Sequence, residues 1–129
     1  YNPVRAVSQQ RDDFKFIGND EAHISIHGVK FRLFHPGGSP GLAKSYRAQQ
    51  EIWRNESSPD ILLVGHFHFF NSVYEKGVTG INAACFQSQT PYEKGKNLHP
   101  NVGGVLLDIH NGNRVGVTYV PYDVEVEDW

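Results

Sequence analysis

The run Ile61-Leu62-Leu63-Val64 constrains this chain more than any other stretch. Four consecutive aliphatic side chains with no polar alternation predict a strand buried on both faces, the habit of parallel sheets covered on both sides. The run stops abruptly at Gly65-His66. Upstream, Phe31-Arg32-Leu33-Phe34 reads as a second strand, which stops at His35-Pro36-Gly37-Gly38. Between them, Leu42, Tyr46, Gln49 and Trp53 recur at helical spacing over 42–55, with Arg47 and Glu51 as an i,i+4 pair on another face. Asn55 to Pro59 supplies the stop. Strand, helix and strand have the length of a βαβ unit, whose right-handed crossover brings both strand ends to one edge of the sheet. His35 and His66 are thereby expected at the same edge. His68 follows two residues later, and in an extended stretch that spacing puts it on the same face as His66.

The remaining chain is strand-rich. With 129 residues it has the size of one domain. Residues 1–13 are polar and without a period, and read as an N-terminal arm or the remnant of an upstream element; 14–129 hold the folded portion. Phe14, Phe16, Ile24 and Ile26 alternate with polar neighbours around Gly18-Asn19-Asp20, which predicts a hairpin turn there, with His27-Gly28 as a second turn. Further strands are expected around 72–74, 80–85, 105–110 and 115–120, the last two joined at Asn111-Gly112-Asn113. The expected fold is α/β (α+β): a mixed, partly antiparallel sheet with one central helix and a C-terminal hairpin. Tyr46 and Trp53 are expected in the core on the helix face, and Cys85 as a buried small hydrophobe.

Composition excludes several classes. The formal net charge of −2 carries no broad basic footprint, so nucleic acid is possible as a partner but unsupported by charge. One cysteine leaves no internal disulfide. No run approaches the ~20 apolar residues that span a bilayer, and no signal-like stretch opens the chain; a cytoplasmic location is expected, with no membrane partner. There is no methionine and the first residue is Tyr1, which reads as a piece cut from a longer chain.

Histidine chemistry gives the candidate site. Neutral imidazole is the commonest nitrogen ligand for Zn, Mn and Fe ions, and His35, His66 and His68 can converge on a divalent metal at one strand edge. Gly65 allows close backbone approach there. His23, His27, His99 and His110 read as surface or satisfied core residues. A structural zinc site lacks support because Cys85 stands alone. Gln89 and Thr90, in a proline-containing loop after a predicted strand, either face substrate or cap a turn. Lys94 and Lys96 beside them either steer an anion or solvate the loop.

Asp60 to His68 resembles the last motif of the calcineurin-like metallophosphoesterases, an apolar strand followed by Gly-His-x-His. Phe31 to Gly38 resembles that family's preceding motif, a strand ending in a metal-binding histidine followed by glycine. Phe86 to Lys94 resembles a stretch of archaeal and phage-type members. The resemblance runs roughly from Phe14 to Tyr122. It implies a partial αββα sandwich and a hydrolase of phosphomono- or phosphodiesters that uses two divalent ions (Mn, Fe or Zn) to activate water. In that family His35 and His66 would bind one metal and His68 the other. The family's upstream motifs, Asp-x-His, Gly-Asp-x-x-Asp and Gly-Asn-His-Asp/Glu, are absent. Gly18 to Glu21 lacks the histidine and reads as a turn.

The resemblance therefore implies the C-terminal half of a metallophosphoesterase, with one metal or none held by this portion and little activity on its own. The alternative is a non-catalytic interaction or regulatory domain that keeps the fold. A sheet divided in this way would expose an edge, so pairing with the missing half or with a second copy is expected.

Overall fold

The computed structural model describes residues 2–54, 58–110 and 114–123. A short helix, α1 (Pro3–Ser8), opens the chain, its first turn capped by the Asn2 side chain, which accepts from the Val4 and Arg5 amides. β1 (Glu21–Ile26) and β2 (Val29–Phe34) form an antiparallel hairpin. Its two loop residues, His27 and Gly28, have φ of 49° and 79°, the paired positive values whose twist suits a two-residue hairpin. The chain then passes through α2 (Tyr46–Arg54) into β3 (Ile61–Val64), parallel to β2. β4 (Asn71–Glu75) and β5 (Val78–Asn82) form a second hairpin, and β5 returns to lie parallel to β3. The five-stranded sheet runs β1-β2-β3-β5-β4. After α3 (Pro91–Gly95), β6 (Gly103–His110) and β7 (Arg114–Pro121) pair antiparallel as a separate two-stranded sheet.

The central position of β3 explains its lack of alternation. Leu62 and Val64 pack with Ala48 and Ile52 of α2 and with Val78. Ile61 packs on the other face with Val29, Phe31 and Ile81, against Leu63, Val105, Leu107, Val115 and Val117. Helix, mixed sheet and hairpin sheet thus form three layers. Ile61 and Leu62 are 0% and 1% exposed, each contributing about 1.5–3 kcal/mol by removal from water. Gly80 makes the helix layer possible, since a Cβ there would lie 3.1 Å from Ile52 Cδ1 and 3.1 Å from Val73 Cγ2.

Several expectations are corrected. Phe14 and Phe16 lie outside any strand, and Gly18 to Asp20 lead into β1 rather than turning a hairpin. An alternating pattern forms a strand only where a neighbour completes its hydrogen bonds, and the partner of β1 lies downstream. The helix begins at Tyr46, not Leu42, whose side chain is fully exposed. Tyr46 and Trp53 are 49% and 64% exposed, and Ala48 and Ile52 carry the buried face. Trp53 instead donates through Nε1 to Glu75 (2.6 Å). Arg47 and Glu51 do not pair with each other: Arg47 binds loop carbonyls and Glu51 accepts from Arg32 (3.0 Å). Cys85 is only partly buried, in an isolated bridge to Val102. The expected turn at Asn111-Gly112-Asn113 lies outside the described residues, as does most of the 55–59 stop.

Arg32 is an unforeseen core residue. It is 5% exposed, held by Glu21 (2.6 Å) and Glu51, with its guanidinium 4.8 Å from the Phe34 ring centroid. Hydrogen bonding from Arg32 holds the Glu21 carboxyl below the usual carboxylate range, against the opposing effect of its burial.

Candidate functional site

β2, β3 and β5 run parallel, so their carboxyl ends share one edge, with Phe34, Val64 and Asn82 in register. Ligands gather at such edges because loops diverge there above the sheet. The Gly65 amide donates to the Phe34 carbonyl (3.0 Å), which brings the ends of β2 and β3 together. His35 and His66 leave the sheet side by side, ring centroids 5.1 Å apart and planes at 78°. Gly65 supplies the space, since a Cβ on it would lie 3.2 Å from His35 Cδ2.

His66 and His68 have φ of 81° and 59°. Left-handed backbone at a residue with a Cβ costs about 1–3 kcal/mol, a strain concentrated at ligand sites and switches. The 66–68 stretch is therefore not extended, and the expectation that extension puts both rings on one face is corrected. His66 Nε2 donates to the Gly38 carbonyl (3.2 Å). His68 Nδ1 lies 2.9 Å from Glu93 Oε1. These partners leave Nδ1 of His66 and Nε2 of His68 as the nitrogens able to ligate an ion.

The loop after His35 is tied down from α2. Arg47 Nη1 donates to the Gly37 and Ser39 carbonyls (3.1 and 2.8 Å), and its guanidinium lies 5.3 Å from the Phe67 ring centroid. Lys44 sits 5.6 Å from the Phe69 ring centroid. Two cations thus stand over the aromatic residues that flank His68. Asn82, 1% exposed at the end of β5, donates to the Lys44 carbonyl (3.1 Å), while its Oδ1 has no hydrogen-bond partner among the described residues.

His68 faces a second structure, the cap of α3. Thr90 is the N-cap, and Glu93 reaches back in a capping box: Oε2 accepts from the Thr90 amide (2.8 Å) and hydroxyl (3.0 Å). Burial pushes the Glu93 carboxyl up, but hydrogen bonds from the Thr90 backbone, His68 and the Thr90 hydroxyl outweigh it and hold it below the usual carboxylate range. Gln89 donates to the Leu98 carbonyl (2.6 Å), so Gln89 and Thr90 both have partners within their own loop. Asn82 and Glu93 escaped the sequence reading, and Arg47 entered it only as a helix-surface partner of Glu51, not as a residue of the site. Only Glu93 left a local signal there, Thr-Pro-x-Glu, which combines a capping box with proline at the first helical position.

The three histidines occupy two places: His35 with His66, and His68 with Glu93. Among the described residues no group of three His, Cys, Asp or Glu side chains is placed to hold one ion. The donor set still suits divalent metals. In His66 and His68 one ring nitrogen is oriented by an oxygen acceptor, the arrangement that fixes tautomer in metal-binding histidines.

Comparison with known proteins places the architecture. A conserved uncharacterized protein of Streptococcus pneumoniae, described as a predicted phosphoesterase, superposes with a TM-score of 0.56 at 15% identity, over 84% of this chain and 57% of that one. The chain has the calcineurin-like phosphoesterase fold. At that identity the likeness concerns fold alone. The DNA polymerase II small subunit of Archaeoglobus fulgidus is 40% identical over 52 residues, 40% of this chain and 11% of that protein. That of Pyrococcus furiosus is 35% identical over 63 residues, 48% of this chain and 10% of that protein. The match thus spans about a tenth of the length of these curated relatives. No family model matches the chain. No helix among the described residues is long and apolar enough to cross a membrane.

Proposed function

We propose that this chain supplies the histidine side of a two-metal phosphodiesterase site acting on nucleic acid, within a protein built like the archaeal polymerase small subunits it resembles. The observation that carries the reading is the His35–His66 pair, 5.1 Å apart at the carboxyl edge of adjacent parallel strands in a phosphoesterase fold. His35 and His66 would hold one ion and His68 a second, with acidic ligands supplied from outside these 129 residues. Bound there, divalent ions such as Mn²⁺, Fe or Zn²⁺ lower the pKa of water and neutralise phosphoryl oxygens. The chain's own residues orient and shape the site. Gly38 and Glu93 fix the tautomers of His66 and His68. Arg47 holds the 37–39 loop, and Lys44 adds positive charge that favours an anionic substrate. Gln89 and Thr90 hold the neighbouring loop against which substrate would lie.

The test is Mn²⁺-dependent cleavage of single-stranded DNA by the full protein. His66→Ala is expected to slow it on the order of 10³-fold, the share of about 4 kcal/mol that a metal contributes to transition-state stabilisation. An unchanged rate overturns the reading.

A second reading has one observation in its favour: the curated relatives are themselves named as subunits. In it the fold serves to bind a larger polypeptide and the histidines are catalytic relics. The full protein would then show no metal-dependent cleavage and would co-purify with that partner irrespective of His66.

A further inference from the structure

The capping box of α3 does more than close a helix turn. Glu93 is 7% exposed and divides its two oxygens between two tasks. Oε2 accepts from the Thr90 amide and hydroxyl, while Oε1 faces His68 Nδ1 at 2.9 Å. A carboxylate only accepts, so the proton of a neutral His68 must sit on Nδ1, leaving the lone pair on Nε2. The carboxylate that does this lies 25 residues further along the chain, in the first turn of α3. The His68 backbone is tied to the same loop, since its carbonyl accepts from the Asn101 amide (2.7 Å) beyond α3.

We propose that Glu93 is a positioning residue that holds His68 as the Nδ1–H tautomer, so that Nε2 is presented to a divalent ion and the 90–101 loop is coupled to that ion's binding. The inference rests on the metal-ligand reading of His68 given above. It assigns a role to a loop whose sequence shows only a helix cap.

The chemistry of an amide makes the inference testable. Glu93→Gln keeps the shape but only one acceptor oxygen. That oxygen is required by the Thr90 amide, which otherwise faces a second donor in a buried place. The new amino group therefore points at His68 Nδ1, which must become an acceptor, and the ring proton moves to Nε2. Thr90→Ala, in contrast, removes the cap hydroxyl but leaves the carboxylate facing His68.

The experiment uses the full protein labelled with ¹⁵N at histidine. Long-range ¹H–¹⁵N spectra without metal report the His68 tautomer, and calorimetry with Zn²⁺ reports affinity. Glu93→Gln is expected to invert the tautomer and weaken Zn²⁺ binding about 10–100-fold, the usual effect of losing a partner that orients a ligand. Thr90→Ala is expected to lower thermal stability while leaving the tautomer unchanged. An Nε2–H tautomer in the unaltered protein, or an unchanged tautomer in folded Glu93→Gln, overturns the proposal. So does full Zn²⁺ affinity in Glu93→Gln when His68→Ala weakens binding. If His68→Ala itself leaves the affinity unchanged, the metal-ligand reading fails at this residue, and the metal role assigned to Glu93 falls with it.

Discussion

The two histidine environments at the carboxyl edge are built in different ways. His35 and His66 stand on adjacent strand ends, and their proximity follows from the β2–β3 register and the missing Cβ of Gly65. Their rings touch each other, and the oriented ring, His66, leans on a backbone carbonyl. His68 takes its orientation from a carboxylate 25 residues further along the chain, itself locked into a helix cap. The first environment depends on the sheet, and the second on the end of β3 together with the α3 loop. Damage to the sheet should therefore reach both, whereas local changes should separate them.

The largest effect is expected beneath both sites. Leu62→Ala empties a position 1% exposed between α2 and the sheet, and should cost about 2–5 kcal/mol in denaturant unfolding. The ring signals of all three histidines should shift together; a change confined to His35 and His66 would break the view that one scaffold carries both. Next is Gly65→Ala, which places a Cβ 3.2 Å from His35 Cδ2. It should displace the His35 ring and weaken metal binding about tenfold (about 1.4 kcal/mol), with the His68 tautomer unmoved. Loss of the His68–Glu93 bond in this variant would show that the two environments are coupled after all.

The smallest effect concerns pH. Glu21 is held below the usual carboxylate range by Arg32, so its contribution is complete above its unfolded value (about 4.3) and is lost as pH falls through the lower folded value. Unfolding midpoints measured down that range should fall more steeply for the natural protein than for Glu21→Gln. Parallel curves would remove Glu21 from the support of the β1–β2 hairpin that carries His35.

Much of this arrangement is legible in the chain itself. The unalternating Ile61 to Val64, the helix before it and the histidine after each strand contain the β2-α2-β3 unit and its edge. The His27-Gly28 turn is legible too, because positive φ has few candidate residues. The rotation of α2 is not. Tyr46 and Trp53 have more apolar surface than Ala48, yet Ala48 is buried because the sheet beneath, at Gly80, has room only for a close approach. The i,i+4 pair of Arg47 and Glu51 gave way to partners that local spacing cannot foresee: the Gly37 and Ser39 carbonyls, and the buried Arg32.

By itself the sequence determined the strand-helix-strand unit and the edge at which His35 and His66 meet, since hydrophobic period and strand termination are local properties. Only the tertiary structure decided where His68 points and what holds it. Its partner Glu93 is far along the chain, and its backbone is left-handed where spacing alone implied an extended strand. Side-chain orientation at the end of a strand depends on hydrogen bonds satisfied across the fold, and those bonds exist only once the layers have come together.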